Sequence, residues 1–224
     1  MTMFFHREKT CAICGSSDDY AVLSSTHDFD GPDLDNRPGR DYRYTMGIWL
    51  EDCRFCGYVS YNISEKNGAT KELLNSEQYI TCDGMGFGTY IAKKFYRYHL
   101  IRMSVGDLKG AFLSIVRTAW CCDDSGEVEK AAICRKKAVS LADEVIRRRD
   151  KDRFDISVMK LDLMRRAGMF EQAAKEYSRK HYRNERVRKI VKFQLEKIKE
   201  RDTRAYRLAD VLSEDHSPTI DIMI

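Results

Sequence analysis

Two copies of one short motif constrain this chain more than anything else in it. TCAICGSS at residues 10–17 and EDCRFCGY at residues 51–58 each carry two cysteines two residues apart, with a glycine directly after. A C-x-x-C-G turn directs backbone N–H groups at both sulfurs, which suits thiolates sharing one cation, but a single turn supplies only half of a tetrahedral ligand set. The second turn supplies the other half, so Cys11, Cys14, Cys53 and Cys56 are the predicted metal ligands. Four thiolates around Zn2+ leave no position for a substrate water, which favours one structural ion over a catalytic one. Iron and a redox dithiol are the alternatives for the same four residues.

The 38 residues between Cys14 and Cys53 exceed the common four-cysteine spacer of about 15–20 residues, so the second turn comes after an insertion. AVLSS after the first turn, GIWLED before the second and GYVSYN after it are rich in β-formers and predict the short hairpins of a zinc ribbon. The insertion itself, STHDFDGPDLDNRPGRDYR at residues 25–43, gathers Asp28, Asp30, Asp33, Asp35 and Asp41 beside Arg37, Arg40 and Arg43. It lacks the D-x-D-x-D-G order and distant glutamate of a calcium loop. The favoured reading is a turn-rich loop whose aspartates cap backbone N–H groups and pair with nearby arginines. Asp30, Asp33, Asp35 and Arg37 are also candidates for a partner-binding surface.

A chain of 224 residues with 43% hydrophobic and 33% charged residues is expected to fold rather than remain disordered. It has no apolar run near the roughly 20 residues that cross a bilayer, and MTMFFHREKT lacks the apolar core of a secretory signal, so a cytosolic setting without a membrane is expected. In a reducing compartment eight cysteines are not read as a disulfide framework. The net charge of +4 hides an asymmetry: residues 147–207 hold 21 Lys or Arg against 10 Asp or Glu. Arg186, Arg188, Lys189, Lys192, Lys197 and Lys199 could form one face of a last helix that binds nucleic-acid phosphates, with Arg186 and Lys189 the named candidates. A solvated face interleaved with Glu185, Glu196 and Glu200 is the favoured alternative.

From residue 89 the apolar period changes from two to about 3.6. Six stripes result: Ile91 to Ile101, Leu108 to Cys122, Ala131 to Val145, Ile156 to Leu163, Phe170 to Tyr177 and Val187 to Ile198. Short breaks at VGD (105–107), DDSGE (123–127), RRDKD (148–152), AGM (167–169) and RNE (183–185) predict antiparallel neighbours. A glycine, an apolar residue two later and an alanine five later recur at Gly106, Leu108, Ala111 and at Gly168, Phe170, Ala173, with a weaker copy at Gly126, Val128, Ala131. That is a tetratricopeptide-like pattern, and an ordinary helical bundle is its alternative.

The order of a C-x-x-C knuckle, the segment SSTHDFDGPDLDNRP, a tryptophan ahead of the second knuckle in WLEDCRFCGY, and a helical array resembles bacterial proteins of the domain of unknown function 2225 family. The resemblance covers most of residues 10–200 and implies a zinc ribbon plus helical repeats, with metal ligands at Cys11, Cys14, Cys53 and Cys56. It carries no settled activity. Ala12 and Arg54 stand where proline is common in that family's knuckles, which could loosen the turns.

DGMGFGTY at residues 83–90 is glycine-rich before a helix, but no βαβ context surrounds it, and a flexible linker is the better account. Cys82, Cys121, Cys122 and Cys134 have no C-x-x-C partner, and His27, His99 and His181 are scattered, so no catalytic residue is assigned. The chain is therefore expected to be α+β, mostly α: a ribbon over 1–66, a linker over 67–88, helical repeats over 89–205 and a tail over 206–224. The expected role is a non-enzymatic scaffold that binds a protein or peptide; a nucleic-acid binder and a metal-dependent enzyme are the alternatives. A Cys53→Ser change is expected to unfold the ribbon and spare the helices.

Overall fold

The computed structural model describes residues 2–26, 30–148 and 153–213, with side chains of 153–155 left aside. His27, Asp28, the centre of the 148–152 break and the end of the expected tail lie outside the described residues. The fold is α+β and mostly α. Two small antiparallel sheets come first: β1 (Met3–Thr10) with β2 (Ser17–Ser25), then β3 (Glu51–Asp52) with β4 (Val59–Ser60). The two C-x-x-C-G knuckles are the turns of these two hairpins. β1 was not anticipated, and GIWLED is a strand only at its end, because Tyr44–Ile48 winds as a 3-10 segment after the short helix α1 (Arg40–Arg43).

Residues 67–88 are not a linker. Thr70 and Ser76 cap two short helices, α2 (Lys71–Leu74) and α3 (Glu77–Thr81), by accepting from Leu73 N and Tyr79 N. Leu74, Tyr79, Cys82 and Phe87 from this stretch are buried in one continuous core with Tyr58, Val59 and Ile63 of the ribbon and Phe95 and Ile101 of the next helix. The glycines there turn the chain rather than loosen it: Gly84 and Gly86 both have positive φ.

Six longer helices follow: α4 (Tyr90–Ser104), α5 (Leu108–Asp124), α6 (Val128–Arg147), α7 (Arg153–Arg166), α8 (Phe170–Tyr177) and α9 (Glu185–Lys199). The turns after α4, α5 and α7 share one hydrogen-bond scheme. Gly106 N donates to Met103 O and Asp107 N to Arg102 O; the same pairs recur at Gly126 and Gly168. These are Schellman caps, which need a left-handed residue, and φ is 73°, 74° and 72° at the three glycines. Ala111, Ala131 and Ala173, five residues on, are fully buried, as expected where a larger side chain would hold neighbouring helices apart. Gly106 and Gly126 are 20 residues apart and Gly126 and Gly168 are 42, so the turn recurs without the 34-residue period.

The stretch from 206 is not a free tail over its described part. α10 (Leu208–Leu212) places Val211 beside Leu34 and Ile190 in a second, small core. Leu34 N donates to Tyr206 O and Leu208 N to Pro32 O, so the loop between the knuckles pairs with the C-terminal segment.

Candidate metal centre and the buried charge network

Each knuckle is built the same way. Gly15 N donates to Cys11 O at 2.9 Å and Cys11 N to Ser16 O at 2.9 Å; Gly57 N donates to Cys53 O and Cys53 N to Tyr58 O, both at 2.8 Å. Gly15 and Gly57 take φ of 77° and 72°, turning the chain directly after each pair; Cys11 and Cys53 are buried, while Cys14 is exposed. Ala12 N donates to Ile63 O at 2.9 Å, tying the first turn to the segment after β4, and Tyr79 Oη donates to Gly57 O at 2.7 Å, tying the second turn to α3.

All four sulfurs lie within 4.8 Å of one another. Cys11 Sγ is 3.7 Å from Cys56 Sγ, and Cys14 Sγ is 3.6 Å from Cys53 Sγ. A tetrahedral ion with metal–sulfur bonds of about 2.3 Å requires sulfur edges of about 3.8 Å. The group therefore fits a metal ion. Burial pushes the Cys53 and Cys56 thiols up, while hydrogen bonds from Ser16 pull Cys14 down to about 6. A cation is the natural compensation for ionising the buried members of the set.

The aspartate-rich loop behaves differently from expectation at two of its four candidate residues. Asp35 and Arg37 are buried, so they cannot form a docking surface. Asp35 accepts from Trp120 Nε1 at 2.8 Å and from Arg166 at 3.0 Å. Arg37 pairs with Asp124 and lies 3.8 Å from Asp123, which also receives Arg135 and, at 2.6 Å, Arg166. Burying a charge without a partner is costly, and here every buried charge of the cluster faces an opposite one. Asp35 thus caps the backbone N–H of its neighbour Arg37, as expected, but its charge and that of Arg37 are met by residues far along the chain. Asp33 is half-buried, and burial with the nearby Asp35 carboxylate raises it to about 6. Asp30 is exposed.

The basic surplus of the C-terminal half is partly internal. Arg165, fully buried on α7, donates to Gln194 at 3.0 Å, to the Asp202 and Arg204 carbonyls at 2.8 Å and to Asp162 at 2.6 Å. Lys160 pairs with Asp143 and Glu176. The helix α7 is buried around most of its girth, which is why its apolar stripe was narrow. Arg186 and Lys189 are exposed on α9, as expected of a solvent face. A cleft of about 430 Å³ between α8 and α9 collects Lys180, His181, Arg188, Lys192 and Lys199 with Glu196 as its acid.

One structural residue, Lys94, is not marked out by the sequence analysis. Lys94, buried on α4, donates to Gly47 O at 2.6 Å and Leu50 O at 2.9 Å, satisfying carbonyls of the segment that leads into the second knuckle. Its place on the apolar side of the helix, next to Phe95, was the available signal. His99 is buried, and its Nδ1–H donates to Ala111 O at 2.9 Å, a structural role.

Comparison with models of protein families, with curated proteins and with solved structures finds no match.

Proposed function

We propose that this chain is a zinc-binding, non-enzymatic interaction scaffold. One Zn2+ held by Cys11, Cys14, Cys53 and Cys56 fixes the two hairpins, and the helical array presents the surface that takes a protein or peptide. The observation that carries the reading is the closure of four sulfurs into one tetrahedron-sized group, because sulfur-only ligation suits Zn2+ and occupies all four of its positions. Likeness to the domain of unknown function 2225 family, on the two knuckles and the loop between them, is part of the same reading, as is a cytoplasmic location. Metal analysis together with affinity purification from the native host tests it. One zinc per chain and a specific co-purifying protein support the scaffold; substrate turnover at the metal contradicts it.

The cleft between α8 and α9 favours a second reading, nucleic-acid binding, because its cations outnumber its one acid. Phosphate binding there would weaken steeply with salt and with Arg188→Glu or Lys192→Glu. Salt-insensitive binding removes that alternative.

A further inference from the structure

A cleft of about 500 Å³ opens between β2, the segment around α1 and α5, within the range of about 300–1,000 Å³ typical of small-molecule sites. Four aromatic rings, Tyr42, Trp49, Tyr61 and Trp120, line it beside aliphatic side chains such as Val22, Leu23 and Ile48. Tyr42 and Trp49 lie 4.9 Å apart between ring centres with a 36° tilt, and Tyr61 is 45% exposed at one side. A flat, apolar body is the shape such walls accept.

The charge of the cleft is one-sided. Arg117 reaches in from α5, with its guanidinium carbon 5.7 Å from the Trp49 ring centre and 5.9 Å from that of Tyr61. It donates to Tyr61 Oη, its Nε finds no acceptor, and among the described residues no carboxylate pairs with it. Arg37, Arg135, Arg165 and Arg166 each have such a carboxylate. Lys9, the other cation lining the cleft, is neutralised by Glu51 at 2.5 Å. One unmatched positive charge remains beside the rings. We propose that this cleft binds a small aromatic carboxylate, its ring among Tyr42, Trp49 and Tyr61 and its acid group on Arg117. A carboxylate matches the planar guanidinium fork and carries a single charge. A phosphate monoester brings between about 1.5 and 2 negative charges and would overload a site with one free cation.

The chain has two tryptophans, Trp49 and Trp120, and both line this cleft, so tryptophan fluorescence reports on it. Titration of the metal-loaded full chain with 3-phenylpropionate, excited where the probe does not absorb, should give a saturable change with a dissociation constant of about 1 mM or tighter, in keeping with the probe's size. The neutral 3-phenylpropanamide should bind at least about tenfold more weakly, and Arg117→Gln should weaken the acid by a similar factor. Equal binding of acid and amide overturns the proposal, as does no saturable change up to about 10 mM or tighter binding of adenosine monophosphate than of the acid. Should Arg117→Gln disturb folding by circular dichroism, the acid–amide comparison on the unaltered chain decides by itself.

Discussion

Trp120 Nε1 on α5 donates a 2.8 Å hydrogen bond to Asp35 Oδ2 in the loop between the two knuckles, joining residues 85 positions apart inside the protein. The same carboxylate oxygen receives Arg166 from α7 at 3.0 Å. One fully buried acid therefore ties the ribbon's inserted loop to two helices of the array. Removing it strands Arg166 with less compensation. Asp35→Ala is expected to cost about 3–5 kcal/mol, read as a lower urea midpoint with an unchanged slope. A cost below about 1 kcal/mol would contradict the network's role.

Glycine replacements separate two causes. At Gly126 an added Cβ meets nothing within 4 Å, so Gly126→Ala pays only for its left-handed φ, about 1–2 kcal/mol. At Gly68, φ is 88° and the new Cβ would run into the Val105 side chain. Gly68→Ala should lower the thermal midpoint further than Gly126→Ala; the reverse order would contradict the described packing.

Two groups give stability opposite pH slopes. Asp33 is raised to about 6, so the folded state holds its proton more tightly than the unfolded one; the stability this adds is complete below the ordinary carboxylate range and lost as pH rises to about 6. His99 is lowered by burial, so stability falls as pH drops below about 6.5, when the unfolded imidazole takes a proton first. Asp33→Asn should therefore remove the fall due to Asp33 from the curve of stability against pH between about pH 4 and 6, measured beside the unaltered chain by chemical denaturation at each pH. An unchanged curve would show that Asp33 is not perturbed.

Cys53→Ser should not leave an intact helical array beside an unfolded ribbon. Tyr58, Val59 and Ile63 share a core with Phe95 and Ile101, and Lys94 ends on carbonyls just before the second knuckle. The change is expected to lower the single unfolding transition of the whole chain together with metal affinity. Two separate transitions by calorimetry, one at the original temperature, would contradict the shared core.

The local and the periodic parts of this fold were legible, and the long-range polar parts were not. Cys-x-x-Cys-Gly encodes its own turn, and Leu108 to Cys122 repeats often enough to declare a helix. Gly106, Gly126 and Gly168 marked the helix ends because only the left-handed cap needs them there. Asp35 and Arg37 read as a surface because nothing local distinguishes an acid bound for Trp120 and Arg166 from one facing water. Residues 83–90 read as flexible from their glycines, whereas the apolar anchors Tyr79, Cys82 and Phe87 that hold them down are spaced like no regular element. In α7, Lys160, Asp162, Arg165 and Arg166 are buried, so the usual contrast between apolar and charged faces is blurred.

X-ray absorption at the metal edge of the purified chain tests the central claim most directly. Four sulfur scatterers at about 2.3 Å from zinc, with one ion per chain, are predicted. A nitrogen or oxygen scatterer at about 2.0 Å, or a chain that folds while holding no metal, would contradict a closed centre formed by Cys11, Cys14, Cys53 and Cys56.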